Sequence, residues 1–311
     1  MNIVPSNNPT LIGYNEIFLN LKNLYDNNLL PSKIICSGNS GIGKSTFAYH
    51  LSNYIFSKRE DNKYDAKENL ILQKNRSYNL ILNNSHPNFF LISNDDDKKN
   101  IQISKIREMI SFTNKSSFNG DSKIILIDNV EYLNLNSINA LLKIIEEPND
   151  KIFFLLIHNN KTKILDTLKS RCIKFNLYLK NEDKIKIINK LSNSEFYNKL
   201  NNDFKNNYIS PGDIISLYGF FKNNNIDESI SIDDFLKLII EKKLYKKDLF
   251  VKDKLSFFIE LYFNKKLIHF KSKDKIYNLY KYFLSRIYDC NKYNLDIENI
   301  LIDLNGKLFN E

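Results

Sequence analysis

The chain has 311 residues and a formal net charge of +9, with a pI near 9.1, long enough for two or three domains with their own cores. The basic excess suggests a polyanionic partner, but Lys, Asn and Ile are abundant and Trp is absent, as AT-rich codons would produce, so the placement of basic residues must carry that argument. Cys36, Cys172 and Cys290 have no metal-ligand or redox spacing, the N-terminal residues lack a signal-peptide layout, and the longest strongly apolar run, IFFLLI at 152–157, is too short to span a bilayer; the expectation is a soluble cytosolic protein without disulfide framework, zinc site or membrane span.

Residues 15–30 carry Ile17, Leu21 and Leu24 at helical spacing and stop at Pro31. IICS at 34–37 reads as a short buried strand, and a helix follows over about 45–56. The segment 58–85 is rich in Lys, Asn and Asp; with one short apolar interlude at 69–72, it reads as an insertion or loose helix. HPNFFLI (86–92) predicts a second strand and NDDDKKN (94–100) a solvated turn. Ile103, Ile106 and Ile110 set the inner face of another helix, with Ser104 as its N-cap. KIILID (123–128) predicts a third strand, and NSINALLKIIEE (136–147) an amphipathic helix that Pro148 ends. IFFLLI is a fourth strand and CIKFNL (172–177) a fifth. Apolar strands alternating with helices describe an α/β fold, a parallel five-stranded sheet covered on both faces. Beyond 177 helical spacings take over: KNEDKIKIINKL (180–191), a helix at 213–221 after Pro211-Gly212, a polar break at 223–229, then aromatic-rich helices from about 232 to 307. Three units are predicted: an α/β nucleotide domain over 1–176, a small helical lid over 177–222 and an all-α domain over 223–311.

GNSGIGKS at 38–45 is a complete phosphate-binding loop between a strand and a helix. Gly38, Gly41 and Gly43 let the backbone turn tightly and gather N–H groups on phosphate oxygens. Lys44 reaches the terminal phosphates, Ser45 can place its hydroxyl on Mg²⁺, and Thr46 follows in the same turn, where the helix dipole also favours anions. Asp128 ends the third strand and can hold Mg²⁺ through water. Hydrolysis further needs a group that orients the attacking water. Asn129 follows Asp128 and cannot take a proton as a carboxylate does; Glu131, two residues on, is expected to support the start of the next helix.

The run DNVEYLNLNSINALLKIIEEP (128–148), with FFLLIHNN (153–160) and LKSRCIKF (168–175), resembles the clamp-loader branch of the AAA+ ATPases, its delta-prime subunits of bacterial DNA polymerase III in particular. LIGYNEIFLNLKNLYDNNLLPSKIICSGNSGIGKST near the start, HPNFFLI and, more distantly, YNLDIENILIDL (293–304) fit the same family. The resemblance implies an AAA+ domain carrying the loop, then a lid and a helical collar. It also implies a hetero-pentamer with other clamp-loader subunits that places a sliding clamp on primer-template DNA, ATP with Mg as the cofactor, and little or no ATPase or polymerase activity in this subunit itself. Its stator role makes Arg171, from the SRC tripeptide, an arginine finger acting in trans on a neighbour's ATP. A guanidinium fork there stabilises charge on the transferred phosphoryl group, worth roughly 10³–10⁵ in rate in other nucleotide hydrolases.

Several positions depart from the family's pattern. With no cysteine between Cys36 and Cys172, the four-cysteine zinc module is absent and His86 reads as a strand-edge residue rather than a ligand. ISPGDIIS (209–216) has no basic residue where a lid arginine touches phosphate, and Asp213 would repel it. The residue that senses phosphate at the end of the fourth strand is Asn159 or Asn160. Lys105, Arg107 and Lys115 are candidates for contact with DNA phosphates; a solvated basic face explains them equally. Two rival readings stay open: a self-sufficient AAA+ ATPase such as a motor subunit, and a DNA-binding adaptor with a vestigial fold.

Overall fold

The computed structural model describes residues 4–93, 100–146, 151–160, 163–192, 194–205, 208–269, 273–293 and 295–309. They form two compact units. The first holds residues up to Ile187 together with Ser210–Gly212; the second holds Ile188–Ile209 and the residues from Asp213 on.

The first unit is built on five strands: β1 (Lys33–Gly38), β2 (Phe89–Ile92), β3 (Lys123–Ile127), β4 (Ile152–Asn159) and β5 (Ile173–Asn176). Their order is β2-β3-β4-β1-β5, and every neighbouring pair is parallel. Ile34 lies opposite both Leu155 and Ile173, and Ile125 opposite both Phe90 and Phe154. Parallel pairing brings the C-terminal ends of β1, β3 and β4 to one edge of the sheet, where ligands bind in open α/β sheets.

The continuous apolar runs are explained by burial on both faces. Ile34, Cys36, Ile124, Leu126, Leu155 and Ile157 join one core; Ile35, Ile125, Ile127, Phe154 and Leu156 join the other. Burying each such Ile or Phe fully is worth about 1.5–3 kcal/mol. Helices α1 (Asn15–Asp26), α2 (Lys44–Phe56) and α3 (Arg76–Leu82) supply the first core, through Phe18, Phe47, Leu51 and Tyr78. Helices α4 (Ile103–Asn114), α5 (Leu135–Glu146) and α6 (Asp166–Lys169) supply the second, through Ile106, Met109, Leu141, Ile145 and Leu168. β5 is an edge strand, and its Ile173 is exposed.

Three local expectations are corrected. The first helix ends at Asp26 rather than near residue 30, because Asn28 turns left-handed at φ 57°. Ser104 is not a cap: α4 starts at Ile103 with Gln102 before it and no side-chain cap bond. The backbone N–H of Ile101, donating to Tyr132 O at 2.8 Å, anchors the chain just before the helix. The segment 58–85, read as an insertion or loose helix, is ordered and contains α3. Asp65 and Leu70 form a bridge, Tyr64, Ile71, Tyr78 and Ile81 are buried, and Asn75 caps α3 by accepting from Tyr78 N at 2.7 Å. The expected turn at 94–100 falls mostly outside the described residues, as does Pro148, expected to stop α5.

Helices α7 (Asn181–Leu191) and α10 (Pro211–Asn224) each contribute residues to both units. The second unit is otherwise made of α8 (Ser194–Lys199), α9 (Asn202–Lys205), α11 (Ile232–Glu241), α12 (Leu244–Lys247), α13 (Leu249–His269), α14 (Lys273–Tyr293) and α15 (Glu298–Phe309). One core holds them together: Phe204, Phe221, Phe235 and Phe258 pack at its centre, with ring centroids 5.0–6.2 Å apart in successive pairs. Lys265 bridges Asp203 at 2.8 Å and Asp233 at 2.6 Å, and Glu298 takes both Lys243 and Lys246. No helix among the described residues is long and apolar enough to cross a membrane.

Candidate nucleotide-binding site

β1 delivers the chain to Gly38, and α2 starts at Lys44. The turn between them needs positive φ at Gly41 (76°) and Gly43 (89°). Gly43 is the N-cap of α2 and makes no side-chain cap bond, so the first N–H groups of the helix are not spent on a cap. Gly41 has a second constraint. A Cβ there would stand 2.3 Å from Ser210 Oγ, and Gly212 N donates to Gly41 O at 2.9 Å. Tyr14 steadies the loop from the other flank, its hydroxyl donating to Ile42 O at 2.7 Å. Nothing in the local sequence around Tyr14 or Ser210 signals these contacts.

The Lys44 side chain is buried and donates to Gly38 O at 3.0 Å and Asn39 O at 2.7 Å. Burial lowers its pKa, while the charges of Glu131 and Asp128 raise it. Ser45 Oγ donates to Asp128 Oδ2 at 3.0 Å, bringing together two groups 83 residues apart. Burial raises the Asp128 pKa; the Ser45 bond and the Lys44 charge oppose this. Thr46 is half-buried in the first turn of α2. A hydroxyl beside a carboxylate, a buried cation, glycines in the left-handed region and an uncapped helix start together fit a magnesium–nucleotide, whose metal takes few protein ligands beside phosphates and water. Among the described residues no group of three or more His, Cys, Asp or Glu could hold a metal ion by itself.

Asn129 follows Asp128 in a left-handed conformation (φ 58°) and opens a short 3-10 turn, Val130–Tyr132. Glu131, expected to support the start of the next helix, makes its bond elsewhere. Asn134 fills that place, its side chain accepting from Ser137 N at 2.8 Å. Glu131 Oε2 instead accepts from Asn159 N at 3.3 Å, and Glu131 exerts the largest opposing charge on Lys44. Beside it, Ser37 Oγ lies 2.8 Å from His158 Nδ1 and donates to Asn160 Oδ1 at 2.7 Å, while Asn160 N reaches Gly38 O at 3.3 Å. Asn159 and Asn160 therefore both sit at the head of the sheet, one tied to Glu131 and the other to the start of the loop.

Arg171 is held away from these groups. Its side chain bonds Glu146, Thr167 O and Ser170 Oγ, at the end of α5 and around α6. Asp213 forms an ion pair with Lys254 at 2.6 Å inside the second unit. Of the three basic candidates for DNA, Arg107 and Lys115 are exposed, while Lys105 is half-buried and donates to Ser93 O at 3.1 Å. His86 stacks on Phe56 with centroids 4.0 Å apart and accepts from Asn88 N through Nδ1 at 3.2 Å.

A protein-family model described as DNA polymerase III, delta subunit, matches residues 13–181, more than half of the chain. The chain belongs to this family. That places it among the AAA+ clamp-loader proteins, as a DNA polymerase III clamp-loader family subunit. It is 30% identical over 136 residues to DNA polymerase III subunit delta' of Pseudomonas aeruginosa PAO1, covering 44% of this chain and 40% of that protein. To DNA polymerase III subunit delta' of Buchnera aphidicola subsp. Schizaphis graminum it is 32% identical over 209 residues, covering 64% and 61% respectively. The chain thus spans less than two thirds of either relative's length. Among solved structures, a DNA polymerase III gamma subunit-related protein of Thermotoga maritima aligns with a TM-score of 0.48 at 16% identity, covering 92% of this chain and 96% of that one.

Proposed function

We propose that this chain is the stator of a bacterial clamp loader, working with other clamp-loader subunits, a sliding clamp and primer-template DNA. It holds ATP with Mg through Gly38, Gly41, Gly43, Lys44, Ser45, Thr46 and Asp128, and does not hydrolyse it. Residues 223–311 form the collar through which it assembles, with 177–222 as the lid. The observation that carries this reading is the gap in its own site. Lys44, Ser45 and Asp128 are gathered at the loop, but the residue after Asp128 is Asn129, turned into a left-handed bend.

Bound ATP and Mg²⁺ would supply the phosphoryl group and most of the local charge. Lys44 would hold the phosphates and Ser45 with Asp128 would hold the metal, while Asn129 cannot accept the proton of an attacking water. Arg171 is displayed on the surface, 37% exposed, as a group serving a neighbour must be. In trans it stabilises the charge developing on the neighbour's transferred phosphoryl group.

Steady-state ATP turnover of the isolated chain is the first test: no turnover above background is expected, whereas robust turnover abolished by Lys44→Ala sinks the reading. In a loader reconstituted with its cognate motor subunits, Arg171→Ala is expected to lower ATP turnover by about 10³.

A second reading, a motor subunit that cuts its own ATP, is favoured by one observation. Glu131 stands beside Asn159 N and within the electrostatic reach of Lys44, offering a carboxylate two residues late. Turnover abolished by Glu131→Gln, with ATP binding retained, would establish it.

A further inference from the structure

The geometry points to Glu146 as the positioning residue of Arg171, holding its guanidinium in the orientation needed by a neighbour's phosphoryl group. This rests on the reading of Arg171 as a residue that acts in trans.

An arginine this exposed would ordinarily sample many rotamers. Here the guanidinium is fixed along two edges. Nε donates to Glu146 Oε1 at 2.8 Å, and Nη2 lies 2.7 Å from the same oxygen. Nη1 donates to Thr167 O at 2.9 Å and has a longer contact of 3.4 Å with Ser170 Oγ. A guanidinium has five N–H donors in a rigid fork. Two are spent on short hydrogen bonds, from Nε and Nη1, and the terminal nitrogens keep the other three, one on Nη1 in its long contact and two on Nη2 beside the Glu146 carboxylate.

Both anchors stand beside core residues. Ile145, next to Glu146, is fully buried, and Leu168, next to Thr167, is 2% exposed. The hold on Arg171 is therefore built on packed elements, as positioning of a reactive group requires. Helix stability does not account for Glu146: it closes α5, where the helix dipole disfavours an acid. Its short bonds to Arg171 account for it instead.

The test uses the full chain in the reconstituted loader, with ATP turnover measured over a range of ATP concentrations. Glu146→Ala is expected to lower kcat about tenfold and leave the KM for ATP unchanged, since misplacing a group used in the transition state costs rate rather than ground-state binding. Glu146→Gln keeps a carbonyl oxygen for the Nε–H and is expected to stay within about threefold of the parent. Glu146→Asp keeps the charge but shortens the reach, and should behave like Glu146→Ala; it serves if the alanine variant folds poorly. Adding Glu146→Ala to Arg171→Ala should cost nothing further. On the chain by itself, the ¹⁵N NMR signal of Arg171 Nε–H should persist in the parent and in Glu146→Gln and be lost to exchange in Glu146→Ala.

If Arg171→Ala lowers turnover but both Glu146→Ala and Glu146→Asp match the parent, the positioning role is overturned and the trans role of Arg171 stands. If Arg171→Ala itself matches the parent, the trans reading fails and this inference fails with it. A Glu146→Ala variant faster than the parent also overturns it, because Glu146 would then restrain the arginine rather than guide it.

Discussion

Lys44 keeps a cation in a buried place because Glu131 and Asp128 offset part of the desolvation that lowers its pKa. Ser45 and Asp128 are joined by a 3.0 Å bond, so the hydroxyl and the carboxylate are already paired where a metal would sit. Replacing Ser45 with Ala removes the hydroxyl alone. The expected result is a loss of about tenfold in ATP affinity with Mg²⁺ present and little change without it, read by titration under both conditions; an equal loss in both would mean the hydroxyl serves the phosphates rather than the metal. Gly41 is constrained by shape as much as by backbone. Gly41→Ala puts a Cβ at φ 76° and 2.3 Å from Ser210 Oγ, and should cost about 1–3 kcal/mol in a denaturant titration. A variant as stable as the parent would show that Ser210 does not rest on the loop.

The elements carry their own tests. β4 runs through the centre of the sheet, and its residues alternate between the two cores. Phe154 is fully buried, so Phe154→Ala should destabilise the chain by about 3–5 kcal/mol, and a cost below about 1 kcal/mol would contradict the packing described. α3 shows how a polar segment can still be ordered. Asn75 is fully buried, caps Tyr78 N at 2.7 Å, accepts from Asn53 Nδ2 at 2.9 Å and donates to Asn62 O at 2.7 Å. Asn75→Ala is expected to cost about 1–3 kcal/mol, more than a simple cap, since it leaves buried partners unsatisfied. Asn75→Asp keeps the cap oxygen but loses the donor to Asn62 O, and should fall between the two.

For the molecule as a whole, pH dependence tests the first unit. His50 sits between Tyr64 Oη and Asn8 O, each at 2.9 Å, and burial drives its pKa down to about 4. His86 is pushed down to about 4 as well, by burial and by the nearby Arg76. Both are therefore neutral in the fold where an unfolded histidine is protonated. Above pH 6.5 neither state carries the proton and the stability is fully present. As pH falls from 6.5 to about 4 the unfolded chain takes up protons first, and stability is lost through that window. His50 alone accounts for on the order of 3 kcal/mol. Unfolding midpoints measured between pH 7 and pH 4 should fall accordingly, and His50→Gln should flatten the slope whatever it does to absolute stability. A parent curve flat down to pH 4.5 would mean that these histidines are not buried as described.

Much of this molecule was legible in residues close together in the chain. The apolar runs ending at Gly38, Asp128 and Asn159 announced a parallel sheet, since strand burial on both faces leaves a continuous apolar signature. GNSGIGKS announced its loop because the left-handed turns at Gly41 and Gly43 are a requirement of the backbone itself. The order of 58–85 was hidden, because its few buried residues are scattered among Asn and Lys and pack with α1 and α2 rather than showing a periodicity of their own. The start of α4 was missed for a similar reason: a bond from Ile101 to Tyr132 set it, not Ser104. What only tertiary structure decided is which distant groups meet. Ser45 with Asp128, Glu131 with Asn159, Gly212 with Gly41 and Arg171 with Glu146 are joined across 25 to 171 positions of chain. A local pattern records what each residue can do, whereas the strand order β2-β3-β4-β1-β5 and the packing of helices on it determine which partner stands within hydrogen-bond reach.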